Sequence, residues 1–150
     1  RMHKTAAEIA LMKTAADITV EAFRAVGAQV QKGMTPEDIN ALIIAETAER
    51  GGKGGDPFVL LGEASAYPHG PDKPREVREG EVILIDGGCS VHGYVSDISR
   101  TFVFGEPTKR QRDVWAQVRQ GQQMAFEAAQ IGKSCGSVDD AVRGWYEKIG

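Results

Sequence analysis

Two strand-forming segments, one apolar and one of mixed polar and apolar residues, constrain the fold of this chain most strongly. The first covers residues 82–85 and ends at Asp86, and the second covers residues 98–104 and follows Asp97. The ten residues between the aspartates include His92-Gly93, a pair that favours a tight turn. The spacing therefore predicts a β-hairpin that brings the carboxyl groups of Asp86 and Asp97 to one end of a strand pair.

The register of this hairpin can be tested from residue numbers, because the numbers of two opposed residues add up to the same sum along a regular antiparallel pair. Direct pairing of Asp86 with Asp97 requires a sum of 183. The same sum opposes Ile85 to Ile98. A turn centred on His92-Gly93 requires 185 instead, so we expect either a β-bulge or an offset of one rung. Both registers leave the two aspartates on the same face, since side chains alternate with a period of two.

Two carboxylates on opposed strand positions repel each other, so their proximity needs compensation. A proton shared by the pair, nearby cationic side chains or a bound divalent cation could each provide it. Alternatively, Asp86 and Asp97 are solvated residues that only flank a turn. Both carboxylates adjoin strands whose composition predicts burial, and this favours a functional site.

The overall charge excludes several classes of partner. The 150 residues carry a net charge of −3, and lysines and glutamates are interspersed along the chain without forming a basic stripe. We therefore expect neither a nucleic acid nor an anionic membrane as partner. The apolar stretches are too short to span a membrane, and the first residues show no secretory h-region. A cytoplasmic location is the simplest expectation.

The two cysteines and a glycine-rich segment carry no recognisable reactive motif. Cys89 and Cys135 belong to no paired metal motif, and we expect both to be reduced and half-buried. A reactive thiolate needs a neighbouring histidine or a helix N-terminus, and only Cys135 has the second of these. The glycines of residues 53–57 precede a strand and lack the terminal Gly-Lys-Ser/Thr of a phosphate-binding loop, so they predict a turn.

Helical patterns flank the hairpin on both sides of the sequence. The first segment has apolar residues at spacings of three and four and ends at Gly33, and Thr35-Pro36 then begins a second helix. Beyond the hairpin, Thr108 and Gln111 have the spacing of a capping box, and Ser137 is the predicted cap of a last helix. The predicted apolar stripe of the first helix consists of Ile9, Met12, Ala16, Val20, Phe23, Val26 and Val30. Two helices, a mainly antiparallel sheet and two helices indicate an α+β fold.

The motifs around the hairpin resemble those of a known family. Asp86-Gly87-Gly88 is followed at residues 93–102 by the sequence GYVSDISRTF, and Pro68-His69-Gly70 precedes both. In these motifs, and along essentially all 150 residues, the chain resembles the pita-bread metallopeptidases. It is most similar to the branch of Xaa-Pro dipeptidases (prolidases) and aminopeptidase P, and methionine aminopeptidase is more distant. The resemblance implies half of a pita-bread (creatinase/aminopeptidase-like) fold, in which helices cover an antiparallel sheet.

The same resemblance implies a site for two divalent metal ions, with Mn²⁺ expected first and Co²⁺ or Zn²⁺ as alternatives. The family holds these ions with two Asp, one His and two Glu. By position, Asp86 matches the ligand that chelates one metal ion and Asp97 matches the ligand that bridges both. His69 matches a catalytic histidine beside the metals that steadies the substrate or the tetrahedral intermediate. Carboxylate oxygens suit such ions, and two metal ions can share a hydroxide that attacks an amide carbonyl.

The resemblance also implies that residues 1–150 form the first half of a catalytic domain. The remaining ligands of the family, one His and two Glu, lie in a second half that repeats the first by pseudo-twofold symmetry. The small N-terminal domain typical of the Xaa-Pro branch is likewise not in this chain. We therefore expect this chain alone to be inactive, and we expect the second half of the domain to be its partner. A homodimer is expected for the full-length protein, because dimers are common in the family.

The implied activity of the full-length protein is that of a metal-dependent exopeptidase. Its substrates would be short peptides with proline at the second position, cleaved before the proline. Two alternatives keep the same fold, namely a metal-free creatinase-like amidinohydrolase and a non-catalytic module that binds a peptide or protein. Such relatives tend to lose metal ligands, whereas Asp86 and Asp97 are both present. Dipeptidase and aminopeptidase P activities are not separated by these residues.

Overall fold

The computed structural model describes residues 2–67 and 75–150, which form a first compact unit up to Glu106 and a second compact unit from Pro107 onward. The helices of the first unit are α1 (Ala6–Gln29) and α2 (Pro36–Glu49). Its strands are β1 (Phe58–Leu61), β2 (Val82–Gly87), β3 (Ser90–Val91), β4 (Tyr94–Val95) and β5 (Ile98–Val103). The second unit contains α3 (Lys109–Ala128) and α4 (Cys135–Ile149). This order confirms the predicted α+β fold, and no helix in the described ranges is long and apolar enough to cross a membrane.

Both helices of the first unit begin at reciprocal caps that local sequence specifies. The Thr5 hydroxyl accepts the N–H of Glu8, and the Glu8 carboxylate accepts the N–H of Thr5. Thr35 and Asp38 form the same arrangement at the start of α2, with Pro36 as its first residue. Such caps satisfy N–H groups that have no partner inside the helix. The start of α2 agrees with the prediction, whereas the cap at Thr5 was not predicted.

The strands within the described residues pair only in the antiparallel sense. The larger sheet has the order β1-β2-β5, and β3 and β4 form a separate two-stranded hairpin. The turn between β3 and β4 places His92 at φ 49° and Gly93 at φ 85°, which is typical of the two-residue turns that match the twist of a hairpin. The predicted hairpin and its turn are therefore confirmed.

The register shows that the direct pairing of the two aspartates is wrong. Asp86 lies opposite Ser99, and Ile98 lies opposite Gly87 and not opposite Ile85. Opposed residues sum to 185 in both the β2–β5 and the β3–β4 ladders, as the turn position requires. The constant sum excludes a bulge between the ladders and confirms the offset. The two-residue turn at His92-Gly93 therefore sets the register of the strands, and the pairing of the two carboxylates does not set it.

One face of the sheet packs against α1 and α2. The buried residues on this face of β1 and β2 alternate with more exposed residues on the other face. The central buried residues of this cluster are Phe23, Val26, Ile39, Ile43, Val59, Leu61, Ile83 and Ile85. Each large apolar side chain buried in this way contributes about 1.5–3 kcal/mol, so the core is concentrated between the sheet and the two helices.

The buried stripe of α1 differs in part from the predicted one. Phe23 and Val26 are buried as expected, but Ile9 and Met12 near the start of the helix are 56% and 37% exposed. Small residues of α1 are buried instead, namely Ala15, Thr19 and Ala22. Small side chains allow the helix to approach its neighbours closely, and a pattern of large apolar residues does not reveal this.

The second unit is a pair of helices with its own caps. Thr108 caps α3 reciprocally with Gln111, as predicted. The last helix begins earlier than predicted, because the cap is Ser134 and its hydroxyl accepts the N–H of Ser137 at 3.2 Å. Ser137 therefore lies inside the first turn of α4, and Cys135 is the first helical residue. Both serines have residue types suited to a cap, and the backbone direction at residue 134 decides between them.

The second helix pair repeats landmarks of the first pair. Gly33 and Gly132 have left-handed φ angles of 88° and 84°, and each precedes the hydroxyl cap of the next helix by two residues. Gly51 and Gly150 have left-handed φ angles of 84° and 89°, and each lies sixteen residues after the residue that caps the start of the preceding helix. The chain thus uses one helix–turn–helix pattern twice.

Candidate metal centre

Asp86 is held at the end of β2 by its neighbours on both sides. It is half-buried, with Phe58 of β1 and Ser99 of β5 as its opposed residues. The Ser99 hydroxyl donates a hydrogen bond of 2.5 Å to Oδ1 of Asp86. Hydrogen bonds to a carboxylate are short and strong, so this contact orients the side chain.

Asp97 reaches the same end of the strand pair from the other side. It directly precedes β5, is exposed, and lies two residues before Ser99. Because side chains alternate with a period of two along an extended segment, Asp97 projects to the same face as Ser99 and its partner Asp86. The predicted juxtaposition of the two carboxylates on one face therefore agrees with the strand register, although they are diagonal neighbours and are not directly opposed.

The described residues do not neutralise these two carboxylates. Within residues 2–67 and 75–150, neither Asp86 nor Asp97 takes part in an ion pair. Arg100 is next to them in sequence, but it lies opposite Ile85 and so belongs to the helix-facing side of the sheet. Its guanidinium group donates to the carbonyl oxygen of Ser99 at 2.8 Å. Cationic side chains in the described part of the chain therefore do not provide the compensation that two like charges need, and a bound cation remains a candidate.

The carboxylate oxygens of Asp86 and Asp97 suit a divalent ion such as Mn²⁺. A complete site for such an ion needs about four to six ligands. Among the residues that the structure describes, no group of three or more His, Cys, Asp or Glu side chains could hold a metal ion. The two aspartates therefore fit a metal ion as part of a ligand set and require further ligands from elsewhere.

The predicted histidine cannot be placed beside the carboxylates. His69 lies in residues 68–74, which are outside the described residues, so its role stays a prediction. His92 lies at the exposed tip of the β3–β4 hairpin. Cys89 is a buried free thiol and Cys135 an exposed one, so the expectation of half-burial was wrong for both.

The glycine-rich loop between α2 and β1 supports the strand end that carries Asp86. Lys53 and Ser90 exchange two backbone hydrogen bonds of 3.0 and 2.8 Å. A Cβ atom added to Gly55 would lie 2.4 Å from the carbonyl oxygen of Gly88, and one added to Gly87 would lie 2.7 Å from the Pro57 Cβ. Gly55 and Pro57 of the loop therefore pack directly on the Gly87-Gly88 segment, where a side chain on Gly55 or Gly87 would clash.

Sequence reasoning missed two serines, of which Ser99 contacts Asp86 and Ser96 directly precedes Asp97. Ser99 donates to Asp86, and the buried Ser96 donates its backbone N–H to the carbonyl oxygen of Cys89 at 2.9 Å. The residue sum of 185 is the signal that pairs Asp86 with Ser99 and Cys89 with Ser96. Burial of the Ser96 side chain carries no comparable local signal, because its partners lie far away in the sequence.

Comparison with known proteins assigns this chain to a metallopeptidase family. The description of the matching family is Metallopeptidase family M24, and the match covers residues 10–150. The chain belongs to this family. It resembles the Xaa-Pro dipeptidase of Pyrococcus furiosus, with 30% identity over 145 residues, and the Xaa-Pro dipeptidase of Lactobacillus helveticus, with 31% identity over 153 residues.

Solved structures show the same fold. The X-Pro aminopeptidase from Thermotoga maritima superimposes with a TM-score of 0.94 at 33% identity, over 100% of this chain and 43% of that one. The prolidase from Pyrococcus furiosus superimposes with a TM-score of 0.91 at 29% identity, over 100% of this chain and 45% of that one. These matches confirm the pita-bread fold expected from the resemblance.

The chain spans less than half the length of the relatives that it matches. It covers 42% of the dipeptidase from Pyrococcus furiosus and 42% of that from Lactobacillus helveticus, whereas 95% and 100% of this chain take part in the two alignments. The family and the fold are therefore established for this chain, and the activity of a whole protein is a separate question.

Proposed function

We propose that the protein containing this chain is a metal-dependent exopeptidase that hydrolyses the peptide bond before proline. The observation that carries the proposal is the pair of carboxylates, Asp86 and Asp97, on one face of one strand pair without an ion-pair partner among the described residues. Relatives in the same family are Xaa-Pro dipeptidases and an X-Pro aminopeptidase, which supports short peptides with proline at the second position as substrates.

The roles of this chain's residues in the proposal follow from their positions. Asp86 would bind one of two divalent cations, with Mn²⁺ preferred over Co²⁺ or Zn²⁺, and Asp97 would bridge both. The Ser99 hydroxyl orients the Asp86 carboxylate through its 2.5 Å hydrogen bond. His69 would steady the substrate carbonyl. When bound, the cations supply Lewis-acid activation of the scissile carbonyl and of water.

The proposal includes the view that residues 1–150 are the first half of a catalytic domain. The coverage of about two-fifths of each relative supports it, and so does the number of ligands, since two carboxylates bind a cation weakly. The repeated helix pair supports a domain built from two similar halves. On this view the fragment alone is inactive and the full-length protein forms a dimer. A cytoplasmic location stays a prediction.

The test uses the full-length protein and a synthetic Xaa-Pro dipeptide. Activity should disappear after dialysis against a chelator and return on addition of Mn²⁺ or Co²⁺. Asp97→Asn should abolish activity, because it removes the charge that would bridge the cations. Asp17→Asn is the matched control, since Asp17 is an exposed carboxylate on α1, on a different element from the metal centre, and activity should stay at the wild-type level.

An undiminished rate after exhaustive dialysis against chelator would exclude the metal-dependent reaction. Absence of metal from the intact full-length protein, together with absence of dipeptide hydrolysis, would favour the metal-free amidinohydrolase. Peptide binding without hydrolysis in both wild type and Asp97→Asn would favour the non-catalytic module. Extending the assay to longer peptides with proline at the second position separates dipeptidase activity from that of aminopeptidase P.

A further inference from the structure

A buried hydrogen-bonded cluster adjoins the two aspartates. It consists of Thr19 on α1, Cys89 between β2 and β3, and Ser96 between β4 and β5, whose exposed fractions are 1%, 2% and 7%. Ser96 directly precedes Asp97, and Cys89 follows Asp86 by three residues. The proposed hydrolysis assigns no role to these three side chains, so their position beside the carboxylates requires a separate explanation.

Ser96 bridges an interruption in the strand pairing. The β2–β5 ladder ends on one side of Cys89 and Ser96, and the β3–β4 ladder begins on the other. The Ser96 N–H donates to the Cys89 carbonyl oxygen at 2.9 Å, as in a regular ladder. The Cys89 N–H, however, donates to the Ser96 hydroxyl at 3.0 Å. The hydroxyl thus takes the place of the backbone acceptor that a continuous ladder would use.

Thr19 extends this bridge to α1. The Ser96 and Thr19 hydroxyl oxygens are 2.7 Å apart, and the Thr19 hydroxyl donates to the carbonyl oxygen of Ala15 at 3.1 Å. One arrangement of protons satisfies every group: the Cys89 N–H donates to Ser96, Ser96 donates to Thr19, and Thr19 donates to Ala15. Successive hydrogen bonds of this kind polarise one another, so the interruption is firmly tied to a helix.

The strands approach each other closely at the interruption. A Cβ atom added to Gly88 would lie 1.8 Å from the carbonyl oxygen of Ser96 and 2.9 Å from its hydroxyl oxygen. The side chains of Asp86 and Asp97 project from the two strands to the same face, next to this contact. Any change in strand separation at Ser96 therefore changes the distance between the two carboxylates, and metal ligation tolerates errors of only about 0.2 Å.

We propose that Ser96, held by Thr19, is a positioning residue that sets the separation of Asp86 and Asp97 and thereby the affinity of the site for divalent cations. The proposal rests on the proposed function of the two aspartates as metal ligands. It assigns Ser96 no contact with metal or substrate. Groups that support metal ligands from behind commonly change metal affinity about 10-fold to 100-fold when they are removed.

The test measures Mn²⁺ binding to the metal-free full-length protein by calorimetry, with the electron paramagnetic resonance spectrum of bound Mn²⁺ as a second readout. Ser96→Ala should weaken Mn²⁺ binding by about 10-fold or more and broaden the spectrum. Thr19→Val should act in the same direction but less strongly, because the Ser96 hydroxyl can turn to the Cys89 carbonyl oxygen 3.2 Å away. Thr19→Ser keeps the hydroxyl and should bind as the wild type does.

Ile39→Val is the control for a general loss of stability. Ile39 is fully buried in the core between the sheet and the helices, outside the Thr19–Ser96 cluster. Its truncation should leave the Mn²⁺ affinity at the wild-type value. Wild-type affinity in a folded Ser96→Ala variant would overturn the proposal, and so would an equal loss of affinity in Ile39→Val. If Ser96→Ala does not fold, the difference between Thr19→Val and Thr19→Ser decides.

Asp97→Asn separates this proposal from the proposed function. If the wild type does not bind Mn²⁺, or if Asp97→Asn binds it equally well, the assignment of the aspartates as ligands fails. If Asp97→Asn loses Mn²⁺ binding while Ser96→Ala and Thr19→Val retain it, the ligand assignment stands and only the positioning role of Ser96 is refuted.

Discussion

Replacing Gly88 with alanine tests the close approach of the strands that carry the two aspartates. The new Cβ would lie 1.8 Å from the Ser96 carbonyl oxygen and 2.5 Å from its carbonyl carbon. Both atoms belong to the backbone, so no side-chain rotation relieves the clash. Gly88 is also not among the glycines with left-handed φ angles. The expected effect therefore comes from the contact and not from the backbone conformation of residue 88.

The cost can be worked out from this contact. Ordinary van der Waals contact with a Cβ begins at 3.4 Å, so the two strands would have to separate by roughly 1.5 Å at this point. Overpacking of this kind costs about 1–3 kcal/mol. Separation also weakens the hydrogen bonds between Cys89 and Ser96, each of which contributes about 1 kcal/mol. Together these effects predict a loss of about 2–5 kcal/mol in the free energy of unfolding.

Hydrogen exchange of the β2 and β5 backbone amides, together with urea unfolding followed by circular dichroism, measures this loss. Tryptophan fluorescence is unsuitable, because Trp115 and Trp145 both lie in the second unit. Gly27→Ala adds the same methyl group to α1, where no atom other than those of the helix's own nearby backbone and of the adjoining residues lies within 4 Å. Alanine is the better helix former, so this control should gain about 0.5–1 kcal/mol.

A Gly88→Ala variant within about 0.5 kcal/mol of the wild type would refute the reasoning, since that is the range of neutral surface changes. It would mean that the backbone of Ser96 does not approach Gly88 as described. A comparable loss in Gly27→Ala would show that the assay reports any added methyl group and not the contact at Gly88.

Two further predictions concern hydrogen bonds elsewhere in the chain. The pKa of Glu8 is lowered chiefly by the backbone N–H of Thr5 and then by the Tyr94 hydroxyl, so these contacts stabilise the fold above pH 4.5 and are lost as the pH falls through the lowered pKa. Tyr94→Phe should therefore flatten the decline of stability below pH 4.5 in an acid titration followed by circular dichroism. An unchanged profile would contradict this prediction. Thr108→Ala removes the cap shared with Gln111 and should lower the free energy of unfolding of the second unit by about 1 kcal/mol, measured by urea unfolding followed by tryptophan fluorescence. The control is Thr14→Ala, at an exposed position in α1, which should leave that transition unchanged.

Local features of the fold could be predicted from the sequence because their causes lie within a few residues. The caps at Thr35 and Thr108 and the turn at His92-Gly93 depend on side chains and backbone angles of immediate neighbours. The shared face of Asp86 and Asp97 was also predictable. A shift of two residues along a strand returns a side chain to the same face, so this prediction did not depend on the correct register.

The tertiary structure decided between the two registers that the sequence allowed, and it alone decided which polar residues are buried. Ser99, and not Asp97, lies opposite Asp86, because the β3–β4 turn sets the register of the whole ribbon. Thr19 and Ser96 are 77 residues apart in sequence, yet their hydroxyl oxygens are 2.7 Å apart. Whether a serine is a solvated surface residue or a buried bridge depends on a helix that packs over it from a distant part of the chain. No local pattern carries that information, because burial is a property of the assembled layers.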